Sequence, residues 1–289
     1  MKGRIYIIIS RKNITIRMKT SFVILLLMMA ATNQLRMFII LFLSVTVHEL
    51  AHAVTARLFG LEIESIYITP MGQAVKILGL NNISPIKRTA VILSGPVLNL
   101  VIAGLCSMFS YKDIETANLI IAFWNLLPSS PLDGGRFLLM TLSFFLGFSP
   151  ANRICKGIST ALSVLMICAG IVRGSLYPYD ISLFAAAFYL WRLSKKESRM
   201  AAFDFYKAIF AGKEKYGRKQ VVKNIFVPSN VPLKKVIDKI CYDHVLIYYL
   251  AEEKSFLTIE EHKLVDYVAE NGLDGTVGDV LALNNNIVK

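Results

Sequence analysis

Six long apolar segments dominate this chain, at about 20–32, 36–59, 88–111, 114–145, 152–174 and 177–194. Crossing the hydrocarbon core of a bilayer takes roughly 18–20 apolar residues in a helix; most of these segments reach that length, and the first is short. Hydrophobic residues fill 55% of the 289 positions and charged ones 18%, against about 25% charged in soluble domains. Lipid offers backbone groups no partner, so such segments must be helical. The expected fold is an α-helical polytopic membrane protein with six transmembrane helices, a β-hairpin at the membrane edge and a small C-terminal α/β domain.

The net charge of +12 is concentrated where it argues against nucleic acid. Between Arg192 and Lys223 stand ten Lys/Arg against three acids, directly after the last apolar segment. A basic run beside a membrane end marks the cytoplasmic side or contact with anionic lipid, so no direct nucleic-acid partner is expected. Turns near Arg36, Lys112 and Arg173 hold about one basic residue each; the opposite side holds the N-terminal cluster, Lys76, Lys87, Arg88, Arg153, Lys156 and the tail. The positive-inside bias then puts both termini of a multi-pass cell-membrane protein in the cytoplasm. Basic residues precede Phe22–Met29, with only Ala30-Ala31-Thr32 behind it, which reads as a retained first helix instead of a removed signal peptide. Cys106, Cys155, Cys168 and Cys241 form no C-x-x-C pair and require no disulfide.

Short β-like runs at Ile5–Ile9 and Ile14–Ile16 suggest a strand-containing entry segment. Residues 63–77, IESIYITPMGQAVKI, carry β-branched and aromatic residues around a Pro70/Gly72 break, the pattern of a hairpin. It is either a plain loop or an edge strand able to pair with an extended peptide. From about Lys223 the apolar runs end. Strand patterns at Val221–Val227, Val245–Leu250 and Phe256–Thr258 alternate with helical ones at Pro232–Tyr242 and Glu260–Glu270. The expected division is a transmembrane domain over 1–194, a basic juxtamembrane linker over 195–222 and a small regulatory domain over 223–289.

The chemistry lies in His48-Glu49-Leu50-Ala51-His52. On a helix, i and i+4 lie about 40° apart around the axis, so both imidazoles reach one metal. Glu49 stands beside them, where a carboxylate can take a proton from water. H-E-x-x-H alone is short and occurs by chance. Here it sits within Met37–Phe59, among Ile, Leu, Phe and Val. Ionisable groups at that depth cost several kcal/mol unless partnered, and three at once call for a ligand.

A catalytic zinc normally has three protein ligands and one open position. The fourth apolar segment is broken by Pro128 and Pro131, and beyond Glu115 at its start it holds a single acid, Asp133, followed by Gly134 and Gly135. Proline breaks a regular helix, and irregular backbone at membrane depth is tolerated only where it is buried in protein or lines a wet cavity. Asp133 is either a helix cap, a metal ligand, or both. Asn125 is a donor to a developing oxyanion or an interhelical contact. His244 and His262 lack ligand spacing and read as surface or satisfied core residues.

H-E-L-A-H in an early apolar segment, N-L-L-P-x-x-P-L-D-G-G at 125–135 and Ser94-Gly95-Pro96-Val97-Leu98-Asn99 between them resemble the site-2 protease family, strongly over about 14–194. The resemblance implies an intramembrane metallopeptidase with one zinc per chain on His48, His52 and Asp133. Glu49 would be the general base, and Asn125 would hold substrate or stabilise the oxyanion. Gly95, Pro96, Asn99, Pro131 and Gly134 would support the site, and residues 66–77 would form a hairpin pairing with substrate. The sporulation branch of that family is the most similar in layout. It implies a membrane-associated pro-sigma-K precursor as substrate, inhibitory membrane proteins as partners, and a forespore or mother-cell membrane as location. It also implies a CBS-like tail that binds ATP and supports assembly into a homo-oligomer. Two departures stand out: residues 1–13 extend beyond the family pattern, and the tail carries no nucleotide motif. A zinc transporter would show paired broken helices, whereas one broken segment is evident. An inactive binding module would lack part of the quartet His48, Glu49, His52 and Asp133, which is whole. Membrane zincins that trim prenylated proteins usually take their third ligand as a glutamate, unlike Asp133.

Overall fold

The computed structural model describes residues 6–11, 14–69, 72–176, 182–210, 221–252 and 255–285. The chain forms two compact units, 1–127 with 132–137 and 128–131 with 138–289.

The first unit opens with β1 (Tyr6–Arg11) and β2 (Ile14–Lys19), antiparallel from Tyr6↔Lys19 to Arg11↔Ile14. Helices α1 (Thr20–Ala31) and α2 (Leu35–Leu58) follow, then β3 (Glu62–Thr69) and β4 (Gly72–Leu78). The hairpin expected at 63–77 is therefore present, with Thr69 opposite Gly72 and Ile66 opposite Val75. Pro70 and Met71 of its turn lie outside the described residues; Gly72, with φ 127°, takes backbone that a side chain disfavours. β2 runs parallel to β3, Thr15↔Ser65 to Met18↔Ile68, giving one sheet in the order β1-β2-β3-β4. A parallel pair needs a long crossover, and α1 with α2 provides it. β4 is left as an outer strand.

After a 3-10 turn at Leu80–Asn82 come α3 (Pro85–Met108), α4 (Lys112–Leu126) and α5 (Asp133–Leu146). Pro85 sits in the first turn of α3, where its missing N–H costs nothing. α4 stops because Leu127, which precedes Pro128, is extended at φ −58°, ψ 138°; a residue before proline disfavours helical backbone. In α2 the polar groups point inward: Ser44, His48 and His52 are buried while Leu50, Val54 and Leu58 are 49%, 56% and 78% exposed. That inversion of a soluble helix is what lipid solvation demands.

Three helices, Leu35–Leu58, Pro85–Met108 and Phe148–Gly174, are long and apolar enough to cross a membrane among the described residues. The six spans read from the sequence are thus met in part. α1 has 12 residues, about 18 Å at ~1.5 Å per residue, short of a ~30 Å core. The fourth apolar segment is two helices of 15 and 14 residues.

The second unit contains α6 (Phe148–Leu176) and α7 (Ser182–Phe210). Residues 195–210 of the expected linker continue α7 as helix. The remainder is β5 (Val221–Phe226), α8 (Leu233–Ile237), β6 (His244–Glu252), β7 (Ser255–Glu260), α9 (Glu261–Asn271) and α10 (Val277–Asn285). β5 is parallel to β6 and β6 antiparallel to β7. The helix expected over 232–242 is only five residues long. Past it, Ile240 C=O accepts the Phe148 N–H at 2.9 Å, a tertiary bond that replaces continued helix. Thr276 caps α10: Asp279 accepts its N–H at 2.7 Å and its hydroxyl at 2.9 Å. Those two bonds pull the Asp279 pKa below the ordinary carboxylate value.

One apolar cluster joins Phe148, Phe205 and Ile209 to Leu233, Ile240, Leu246, Tyr248, Leu250, Leu264 and Val277. Phe148 and Phe205 stack at 4.0 Å. Phe205→Ala should destabilise this unit by about 3–5 kcal/mol, read as a lowered thermal unfolding midpoint; an unchanged midpoint would mean the stack is not part of the core.

Candidate metal centre

α2 places Ser44, His48 and His52 at successive i+4 positions, one stripe facing inward. α3 presents Val91, Gly95 and Asn99 with the same spacing, all buried. Gly95 is required at the crossing: a Cβ there would collide with His52 Nε2 and lie 2.7 Å from His48 Cε1. Pro96 has no N–H to give Ile92 and loosens that turn. In it, Val91 C=O accepts from His52 Nδ1 at 2.7 Å and from Ser94 Oγ at 2.8 Å. Asn99 Oδ1 accepts from His48 Nδ1 at 2.6 Å.

Asp133 comes from the first turn of α5. Gly134 lets that turn approach the end of α4, since a Cβ would strike Leu126 C=O. Asp133 Oδ2 lies 3.1 Å from His48 Nε2 and 3.1 Å from His52 Nε2, and the two Nε2 atoms are 3.1 Å apart. Its other oxygen, Oδ1, is 3.8 Å from Arg136 Nη1. All three side chains are buried.

Both Nδ1 atoms face amide oxygens that can only accept, so each neutral ring carries its proton there and turns the Nε2 lone pair inward. With both rings neutral, two nitrogen lone pairs and a carboxylate oxygen converge on one point. A cation resolves that repulsion, and the set suits zinc. Ligand bonds of ~2.0–2.1 Å in a tetrahedron give edges of about 3.3 Å, close to the observed 3.1 Å triangle. These three residues are the one such cluster among the described residues.

Glu49, the residue after His48, is tied to the sheet. Its Oε2 accepts the Val75 N–H at 3.0 Å, placing the carboxylate against β4. Gln73, on the same strand, donates through Nε2 to Thr46 Oγ1 at 2.6 Å. Asn125 is not brought to the triangle by any described contact; its amide donates to Ile121 C=O at 3.0 Å within its own helix. The Ser130–Pro131 peptide bond is cis. His244 is buried with Nδ1 3.0 Å from Cys241 Sγ, and His262 pairs with Glu260 at 3.1 Å, as satisfied core and surface residues respectively. Sequence reasoning passed over Ser44 and Asn118, which lie behind Asn99. Asn118 Oδ1 accepts from Asn99 Nδ2 at 2.6 Å, and Asn118 Nδ2 donates to Ser44 Oγ at 3.1 Å. Polar residues in otherwise apolar helices were the available signal.

Comparison with known proteins agrees with this geometry. Residues 36–114 match Peptidase family M50, a range that includes both histidines, Glu49, Gly95 and Asn99. The zinc metalloprotease MJ0392 of Methanocaldococcus jannaschii is 29% identical over 160 residues, 51% of this chain and 46% of that protein. Stage IV sporulation protein FB of Bacillus subtilis is 31% identical over 147 residues, 47% of this chain and 51% of that one. The chain spans about half the length of these curated relatives. The solved site-2 protease from Methanocaldococcus jannaschii superposes with a TM-score of 0.53 at 23% identity, covering 67% of this chain and 95% of that one. Residues 36–114 therefore match peptidase family M50, and the chain has the fold of a site-2 protease.

Proposed function

We propose that this chain is an intramembrane zinc metalloprotease that cuts a membrane-associated protein precursor. The observation that carries it is the convergence of His48 Nε2, His52 Nε2 and Asp133 Oδ2 at 3.1 Å, with both Nδ1 positions occupied by acceptors. Zinc held there supplies the Lewis acidity that makes water a nucleophile near neutral pH. Glu49 takes the proton of the attacking water on its carboxylate and passes it to the departing amine. The Val75 N–H holds Glu49 at the outer strand β4. An extended substrate added along β4 would lie beside the base, with strand pairing for affinity. Asn125, in the last turn of α4, is assigned to the substrate carbonyl, which requires its amide to leave Ile121.

The wider proposal places six crossings in the cell membrane with both termini cytoplasmic, over a transmembrane domain at 1–194. Residues 195–222 form its basic juxtamembrane segment, and 223–289 a CBS-like regulatory part that binds ATP and supports a homo-oligomer. Its precursor is of the pro-sigma-K type, and inhibitory membrane proteins hold it off. Resemblance to the sporulation branch supports these points, with 31% identity over 147 residues to stage IV sporulation protein FB.

The test is co-expression with membrane-tethered transcription-factor precursors from the same genome. Glu49→Gln should keep its zinc and lose cleavage by roughly 10²–10⁴-fold, the usual weight of a general base. Undiminished cleavage by that variant would refute the assigned mechanism.

A further inference from the structure

We propose that Asn118 is a positioning residue that acts through Asn99 to hold His48 as the tautomer able to bind metal. The inference rests on the metal reading of His48, His52 and Asp133. His52 meets the same need directly, because Val91 C=O, a backbone acceptor that cannot turn over, receives its Nδ1–H at 2.7 Å. His48 instead faces Asn99, an amide that can present either oxygen or nitrogen. A flipped Asn99 would turn Nδ2 toward His48 Nδ1, favouring a proton on Nε2 and aiming it at the cluster. Ser44 C=O accepts from Asn99 Nδ2 only at 3.5 Å, too long to fix that amide alone, so a second partner must set its orientation.

The fixing point is Asn118, in direct contact with Asn99. Asn118 Nδ2 donates to Ile114 C=O at 2.9 Å and to Ser44 Oγ at 3.1 Å. Ile114 C=O is backbone and only accepts, so it determines which end of the Asn118 amide faces it. Oδ1 of Asn118 is then left for Asn99 Nδ2, at 2.6 Å. That leaves Oδ1 of Asn99 for His48, at 2.6 Å. Direction passes from a carbonyl on α4 through two amides to a ring on α2. Asn99 and Asn118 are 0% and 1% exposed, so no water competes for these groups. An inverted Asn118 would set nitrogen against nitrogen at Asn99 and oxygen against oxygen at Ile114. In an apolar surround such mismatches are costly.

The experiment uses the full chain in detergent with two readouts, ring ¹⁵N NMR of the metal-free protein and zinc affinity by chelator competition. Only four histidines are present, so the His48 ring signal is assignable by substitution. Wild type should show His48 protonated at Nδ1. Asn118→Leu removes the acceptor; it should shift His48 toward the Nε2–H form and weaken zinc about 10–100-fold, as loss of outer-shell support does. Asn118→Asp, neutral in this apolar surround, keeps an oxygen toward Asn99 and has an O–H for Ile114 C=O; it should retain the tautomer, with zinc affinity within about threefold of wild type. An unchanged His48 tautomer in Asn118→Leu would overturn the proposal. Equal losses in the Leu and Asp variants would also overturn it, assigning Asn118 to packing alone. If Asn118→Leu fails to fold, the Asp variant decides: a shifted His48 tautomer there refutes the proposal, and a retained one supports it. Absence of zinc binding by wild type would sink the metal reading, while the tautomer measurement would still judge the role of Asn118.

Discussion

Asp133→Ala is expected to strip the chain of bound zinc and, with it, of all measurable proteolysis. Zinc sites in small peptides bind with about 10–16 kcal/mol. Shared over four ligands that is about 3–4 kcal/mol each, or roughly 10²–10³-fold in affinity per ligand lost. The site has little to fall back on. His48 and His52 leave two Nε2 lone pairs 3.1 Å apart and supply no negative charge to offset a divalent cation in an apolar surround. Asp133→Asn keeps an oxygen at the same place without the charge, so it should fall between wild type and Ala. His48→Ala removes one of the two nitrogens and should match Asp133→Ala in zinc content. Metal analysis of the purified chain, beside cleavage of a tethered precursor, reads both effects. Stoichiometric zinc in Asp133→Ala would remove α5 from the site and leave the third ligand unassigned.

Much of this centre was legible in the residues alone, and the reason is local geometry. His48 and His52 are four apart on one helix, so their convergence needs nothing beyond helical periodicity. Asp133 needed one further step. Pro128 and Pro131 break an apolar segment, and a lone acid at such a break is buried only with a partner. Gly95 and Gly134 were placed by motif, and the structure gives their physical reason: each sits where a Cβ would strike a ring or a carbonyl. The hairpin at β3 and β4 followed from its turn and its β-branched runs.

Non-local pairing was what stayed hidden. The two strand runs before α1 read as an isolated entry segment, yet β2 pairs in parallel with β3 across more than forty intervening residues. Nothing within Ile14–Lys19 states which distant strand it joins. Asn118 was hidden for the same reason: an asparagine in an apolar run does not name its partner, and only its 2.6 Å bond to Asn99 ties it to the centre. Hydropathy likewise measures apolar length and not helical length: the fourth apolar segment is α4 and α5 on either side of the proline break, and the first yields a helix of 12 residues.

Gly95→Ala sets two physical effects against each other inside α3, and packing should win. Intrinsic helix propensity favours alanine over glycine by about 1 kcal/mol. Gly104→Ala, in the same helix with nothing within 4 Å of the added Cβ, should therefore be neutral or slightly stabilising. At Gly95 the added carbon collides with His52 Nε2 and comes within 2.7 Å of His48 Cε1 and His52 Cε1. Neither ring can yield cheaply, because each is tied at Nδ1, to Asn99 at 2.6 Å and to Val91 C=O at 2.7 Å. Relief requires breaking one of those bonds or separating α3 from α2. Overpacking of this kind costs about 1–3 kcal/mol and falls on the ligand atom His52 Nε2 and on the ring carbon next to His48 Nε2. Zinc affinity should drop at least about tenfold, the lower bound for disturbed ligand support, while Gly104→Ala retains the wild-type value. Chelator competition and thermal unfolding on the two variants side by side separate the effects. If Gly95→Ala bound zinc as tightly as Gly104→Ala, the imidazoles could not be packed against Gly95, and the arrangement of α2 on α3 would have to be redrawn.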